Sequence, residues 1–261
     1  VLGSQRRSQG VSRAQFRPSP IFLGLIALLA LSGWLAWKDI GNARLNVFLF
    51  VVAGWLVSLC LHEYAHAVTA FHGGDRMVAE RGYLTLDPTK YTHPVLSFVM
   101  PLAFVLIGGI GLPGGAVWVD RHAIRSRAWD SFISFAGPAT NLLFAIALVM
   151  PFAIGVDTFA HPTFWSGVAF LAFLQLTAAF LNFVPIPGVD GGNLIEPWLN
   201  PQWQRGFQQI APYGMLLLIV LLWTPRINAL FFGLVYSVAD ILGLPPILIE
   251  NGRFLFPHLN F

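Results

Sequence analysis

Charge is what this sequence has least of: 10% of its 261 residues are Asp, Glu, Lys or Arg, where soluble globular domains carry about 25%. With 56% hydrophobic residues, that shortage excludes an ordinary water-soluble domain. A single cysteine, Cys60, excludes an internal disulfide and leaves the redox compartment open. It falls two residues before His62, on another helix face, and reads as a packing residue. Internal repeats, heptads and low-complexity tracts are missing, which excludes solenoid and coiled-coil architectures. Carboxylates are scarce as well, with 12 Asp and Glu in all, so few residues compete for any acidic role. The formal net charge of +3 would suggest nucleic acid in a soluble chain. Here the basic residues lie between apolar runs, so membrane topology explains them and no nucleic-acid partner is expected.

What the sequence has is long apolar runs. Segments 20–37, 45–71, 132–156, 164–184, 210–224 and 227–245 are long enough to cross a bilayer as helices. The fold expected is all-α and polytopic, with about six transmembrane helices in one membrane-embedded unit over 1–261. Arg6, Arg7, Arg13 and Arg17 precede the first run, whose core is too long for a signal peptide, so it reads as an anchor. With segment 1–19 inside, twelve basic residues fall on the cytoplasmic side, the last of them Arg205 and Arg253. Only Lys38, Arg44 and Arg226 fall outside, a strong positive-inside bias. That count requires segment 95–112, broken by Pro101, Gly108, Gly109 and Gly111, to enter and leave on the cytoplasmic side as a re-entrant element. Tyr83–Leu86 and Ala116–Val119 are β-prone and bounded by turn residues, so a small membrane-associated sheet is also expected. Residues 210–261 supply C-terminal helices and a tail.

The second run contains His62-Glu63-Tyr64-Ala65-His66. On a helix the two histidines stand one turn apart on one face, where both imidazoles can hold one zinc ion, with Glu63 beside them to polarise water. Three ionisable groups in an apolar helix are costly in lipid and read as a functional site facing the protein interior. His62 lies nine residues before Phe71, about 14 Å inside the helix end, which puts the metal below the membrane surface.

A catalytic zinc needs a third protein ligand and an open position. Asp190, in Asn182-Phe183-Val184-Pro185-Ile186-Pro187-Gly188-Val189-Asp190-Gly191-Gly192, is the leading candidate. The prolines extend the backbone before it, and the glycines permit a tight turn back toward the metal. Glu80 and Glu196 are the other carboxylates considered. Ala136-Gly137-Pro138-Ala139-Thr140-Asn141 opens the third long run. There Pro138 suits a first helical turn, Gly137 permits close approach, and Asn141 can donate to a substrate carbonyl or an oxyanion. Helix–helix hydrogen bonding is the alternative for Asn141. His72 marks a helix end, His93 and His122 read as loop residues, and His161 and His258 lie far from this centre.

Taken together and in this order, HEYAH, GPATN and NFVPIPGVDGG resemble the site-2 protease family of intramembrane zinc metalloproteases, over about residues 45–200. The resemblance implies one zinc ion bound by His62, His66 and Asp190, and Glu63 as catalytic base. It also implies a three-helix core around the metal and, as substrate, a single membrane-spanning segment cut within or near the bilayer. A bacterial plasma membrane is the expected location, with the site toward the cytoplasm. The family's PDZ insertion has no room here. A membrane metal-ion transporter is the alternative function, but it should carry ligands on several spans at successive depths. The sequence sets no oligomeric state.

Overall fold

The computed structural model describes residues 16–91 and 117–256, and among these residues the elements are all helical. The expected re-entrant segment 95–112 and His93 lie outside the described residues. Helix α1 (Pro20–Trp37) starts where Ser19 accepts a hydrogen bond from the Phe22 N–H at 3.1 Å and Pro20 occupies the first helical position. It is apolar all round, and only 22% of its best membrane window is buried, so most of its surface is left for lipid. Helix α2 (Ala43–Gly73) runs 31 residues and returns antiparallel to α1, with Asn42 as its N-cap. Helix α3 (Arg127–Ala153) is capped by Ser126, and α4 (Pro162–Phe183) begins on Pro162.

The window of α4 is 89% buried, which makes it the central post of the bundle. Its Phe170, Leu171 and Leu174 share one apolar cluster with Val51 and Trp55 of α2 and with Ala145 and Val149 of α3. Lipid is as apolar as these side chains, so close packing rather than water release holds the helices together. A turn at Val184–Val189 leads into the short helix α5 (Asp190–Ile195), followed by α6 (Pro201–Ile210), α7 (Gly214–Trp223), α8 (Pro225–Ile241) and α9 (Pro246–Leu255). By length and composition, five helices among the described residues can cross a membrane, or six if the bent pair α8–α9 forms one span.

The last two helices depart from the expected topology. Helix α8 starts near the cluster of Leu181, Ile186 and Val189, where Phe231 packs. It ends at the opposite end of the bundle, where Gly243 lies beside Ala153. The chain bends by 118° there, and α9 stays at that end. Gly252 lies so close to the Ser166 carbonyl that only glycine fits, and the Arg44 guanidinium sits 5.2 Å from the Phe254 ring. Arg253 therefore shares the end of Lys38 and Arg44, while Arg226 moves to the other side. The exchange leaves twelve basic residues against three. The cause is Gly243 at φ +82 followed by Pro245 and Pro246, which turn the chain after one pass.

The expected sheet is not seen: the described residues contain no strand. Tyr83–Thr85 forms one 3-10 turn between Gly82 (φ 78) and Leu86 (φ 55). Successive Tyr83 and Leu84 side chains are both buried, which replaces the alternation a strand needs. Val117–Asp120 runs without regular structure, held where the Asp120 N–H donates to Asp75 Oδ2 at 2.8 Å. Ala116 lies outside the described residues. Pro138 also differs from expectation, because α3 begins eleven residues earlier, at Arg127, and Pro138 is interior to it. It brings no N–H to the Ser134 carbonyl one turn back.

Candidate metal centre

The two histidines leave α2 on the face it turns toward α3. His66 Nδ1 lies 2.6 Å from the carbonyl oxygen of Ile133. That oxygen can only accept, so Nδ1 carries the proton and Nε2 is left with a free lone pair. His62 Nδ1 lies 2.5 Å from Asn141 Oδ1, which sets the same arrangement for the second ring. Ring nitrogens fixed in this way from behind are the usual support of metal-ligating histidines.

Asp190 arrives from the other side. After α4 the backbone turns tightly on itself, with the Ile186 N–H donating to Val184 at 2.8 Å and the Val189 N–H donating to Ile186 at 3.1 Å. Gly188 sits at φ +82 against the Ala211 carbonyl, where no side chain fits. This turn places Asp190 at the start of α5. Its Oδ2 is 3.2 Å from His62 Nε2 and 3.3 Å from His66 Nε2, and the two Nε2 atoms are 3.0 Å apart. Zinc bonds of about 2.0–2.1 Å in tetrahedral geometry imply ligand–ligand edges of about 3.3 Å, so the triangle fits one such ion. Among the described residues these three form the one His/Cys/Asp/Glu group able to hold a metal. Burial works against the charged form of Asp190, yet the neighbouring imidazoles hold its carboxyl below the usual range.

Gly137 completes the cradle from α3. A Cβ there would come within 2.5 Å of His62 Nε2 and closer still to His66 Nε2, so the two nitrogens meet a bare backbone. Glu63, only 2% exposed, turns its Oε2 toward the N–H of Val117 at 3.0 Å. A cavity of about 380 Å³ opens over these groups, lined also by Trp118, Asn182 and Met215.

Of the two readings of Asn141, the structure shows the helix–helix bonding: its Nδ2 donates to Ser58 Oγ at 3.0 Å and to Gln175 Oε1 at 2.9 Å, and its Oδ1 faces His62. Glu196 accepts from Gln208 at 2.8 Å and stands outside the metal-capable group. Glu80 is exposed. Cys60 is fully buried with Phe22 and Val57, and His161 stacks on Trp37 with ring centroids 3.6 Å apart. His72 bonds the Val68 carbonyl one turn back, at the end of α2. Sequence reasoning missed Ser58, Gln175, Asp75 and the Val117 N–H.

No family model and no solved structure matches the chain. Curated relatives do. A protein of Mycolicibacterium smegmatis named "Putative zinc metalloprotease Rip2" is 49% identical over 92% of this chain and 93% of its own length. Its namesake from Mycobacterium tuberculosis is 47% identical over 95% and 96%. The Bacillus subtilis protein "Putative zinc metalloprotease YwhC" is 29% identical over 69% of this chain and 83% of its own. Full-length similarity at this level, to proteins named for the metal and the chemistry that the HEYAH helix suggests, makes the chain a member of the site-2 protease family of intramembrane zinc metalloproteases.

Proposed function

We propose that this protein hydrolyses a peptide bond in a single membrane-spanning segment, at a zinc ion held by His62 Nε2, His66 Nε2 and Asp190 Oδ2. The observation that carries the reading is the convergence of three donor atoms 3.0–3.3 Å apart, two on buried histidines and one on the half-buried Asp190, beside a buried Glu63. Zinc, when bound, supplies Lewis acidity for a substrate carbonyl and for water.

The chain's own residues do the rest. Glu63 takes a proton from the attacking water and returns it to the leaving amine. The Val117 N–H orients that carboxylate through Oε2. A helical substrate hides its carbonyls in internal hydrogen bonds and must unwind before it can react. The irregular Val117–Val119 stretch borders the cavity and offers backbone groups to such an unwound strand, as in β-augmentation. The site and the N-terminal end of α1 face the cytoplasm, on the strength of the positive-inside distribution, in a bacterial plasma membrane. Residues 45–200 form the catalytic core of one membrane-embedded unit. A metal transporter would need further ligands at other depths, whereas the described residues hold a single metal-capable group.

The test is a cleavage assay on a membrane-spanning peptide, run with metal analysis on wild type and Glu63→Gln. Zinc retained by both, with cleavage by wild type alone, is the expected result. Zinc-loaded wild type that cleaves no membrane peptide, or a Glu63→Gln protein as active as wild type, would overturn the proposal.

A further inference from the structure

Behind His62, α2, α3 and α4 each contribute one polar side chain to a closed cluster: Ser58, Asn141 and Gln175, exposed by 2%, 5% and 0%. None of the three lines the cavity. The Asn141 amide gives both its N–H bonds to the cluster, one to Gln175 Oε1 and one to Ser58 Oγ. The Ser58 hydroxyl donates in turn to Gln175 Oε1. Gln175 Oε1 is thus the acceptor on which the cluster converges. With its N–H₂ group engaged there, Asn141 can present only Oδ1 to His62 Nδ1. A carbonyl oxygen accepts and never donates, so His62 must carry its proton on Nδ1. Its Nε2 then has a lone pair facing His66 and Asp190.

Among the described residues, Gln175 Nε2 is buried without a hydrogen-bond partner. Buried polar groups are normally satisfied, so this orphan calls for a reason. The opposite setting of the Gln175 amide would oppose N–H₂ to N–H₂ at Asn141. The orphan therefore accompanies the one setting that keeps an acceptor in place.

We propose that Gln175, assisted by Ser58, is a positioning residue that fixes the tautomer of His62 through Asn141. The inference rests on the metal centre proposed above. Without the acceptor at position 175, the Asn141 amide is free to turn and offer an N–H to His62 Nδ1. That favours the proton on Nε2, and a protonated Nε2 cannot ligate.

The experiment uses the full chain in detergent, titrated with Co²⁺ against a competing chelator and followed by ligand-field absorption. Gln175→Met keeps the side chain's length and removes the acceptor; it should weaken cobalt binding about 10–100-fold, the usual loss when support behind a ligand is removed. Gln175→Glu restores an acceptor oxygen and should stay within about threefold of wild type; Met and Glu both match the length of Gln, so a role in packing alone would leave the two variants alike. In metal-free protein labelled at histidine, the ¹⁵N shifts of His62 should report protonated Nδ1 in wild type and Gln175→Glu, and a shift toward protonated Nε2 in Gln175→Met. Should Gln175→Met not fold, Ser58→Ala is expected to give a smaller change in the same direction. Wild-type cobalt binding with unchanged affinity and tautomer in Gln175→Met would overturn the relay alone. Failure of wild type to bind cobalt would overturn the metal centre itself.

Discussion

Replacing Gly137 by alanine adds one methyl group and tests the geometry of the centre directly. The new Cβ would fall 2.5 Å from His62 Nε2 and nearer still to His66 Nε2, where non-bonded contacts prefer about 3.5 Å. Either α3 retreats or the rings spread, by about 1 Å. The rings have little freedom to do so, because their Nδ1 atoms are held at 2.5 Å by Asn141 and at 2.6 Å by the Ile133 carbonyl. Metal–ligand distances tolerate about 0.2 Å. Zinc affinity should therefore fall at least a hundredfold, about 2.7 kcal/mol, and peptide cleavage should fall with it. Overpacking of this kind costs about 1–3 kcal/mol, so the protein should still fold and insert. Gly24→Ala in α1 is the control, since nothing lies within 4 Å of a Cβ built there. The assay is zinc stoichiometry at buffered free zinc, alongside cleavage of a membrane peptide. A Gly137→Ala protein that keeps full zinc and full activity would refute the close approach of α3 to the histidines.

Removing the third ligand by Asp190→Ala should lower zinc occupancy at the same free zinc by at least tenfold, measured by elemental analysis; unchanged occupancy would point to another ligand. Acid should release the metal. Metal ligands must be deprotonated, and the Asp190 carboxyl is held below the ordinary carboxylate range, so zinc released in acid before that carboxyl is protonated reports loss of the nitrogen donors; zinc content unchanged down to the pH of acid unfolding would contradict a histidine-bound ion. Trp118→Pro should impair cleavage about tenfold or more while leaving zinc content intact, because proline removes a backbone donor from the stretch proposed to hold substrate. Equal cleavage by that variant would remove this stretch from substrate binding. Asp75→Ala deletes the acceptor for the N–H groups of Met77 and Asp120, each bond contributing about 1.5–3 kcal/mol, and should speed hydrogen exchange at Asp120 measurably; unchanged exchange would show that Asp75 does not hold the 117–120 stretch.

The parts legible in the sequence were those written in short-range patterns. The HEYAH spacing fixes two nitrogens on one helical face without help from the rest of the chain, and the apolar runs of α1 through α4 declare themselves by length. Asp190 was legible because the prolines and glycines around it dictate a turn. The Ser58–Asn141–Gln175 cluster was not read, although a signal was there: Gln175 is an amide in an otherwise apolar span, and such a group needs a partner. Which partner it finds depends on the rotation of three helices, and that is settled by packing. The β-prone Tyr83–Thr85 failed for a related reason, since burial of neighbouring side chains overrode local preference. The direction of α8 and α9 was misjudged because charge counts balance equally well with Arg226 and Arg253 exchanged.

Two donors stand on one long helix, while the last comes from a short turn threaded far later in the chain. During synthesis the histidine pair therefore enters the bilayer well before the carboxylate exists. In the proposed mechanism, a polypeptide still lacking that turn has the base and two imidazoles but an incomplete coordination set. Hydrolysis at such a centre would then wait on docking of the Pro187–Asp190 corner, so that completion of the fold acts as its own safety catch.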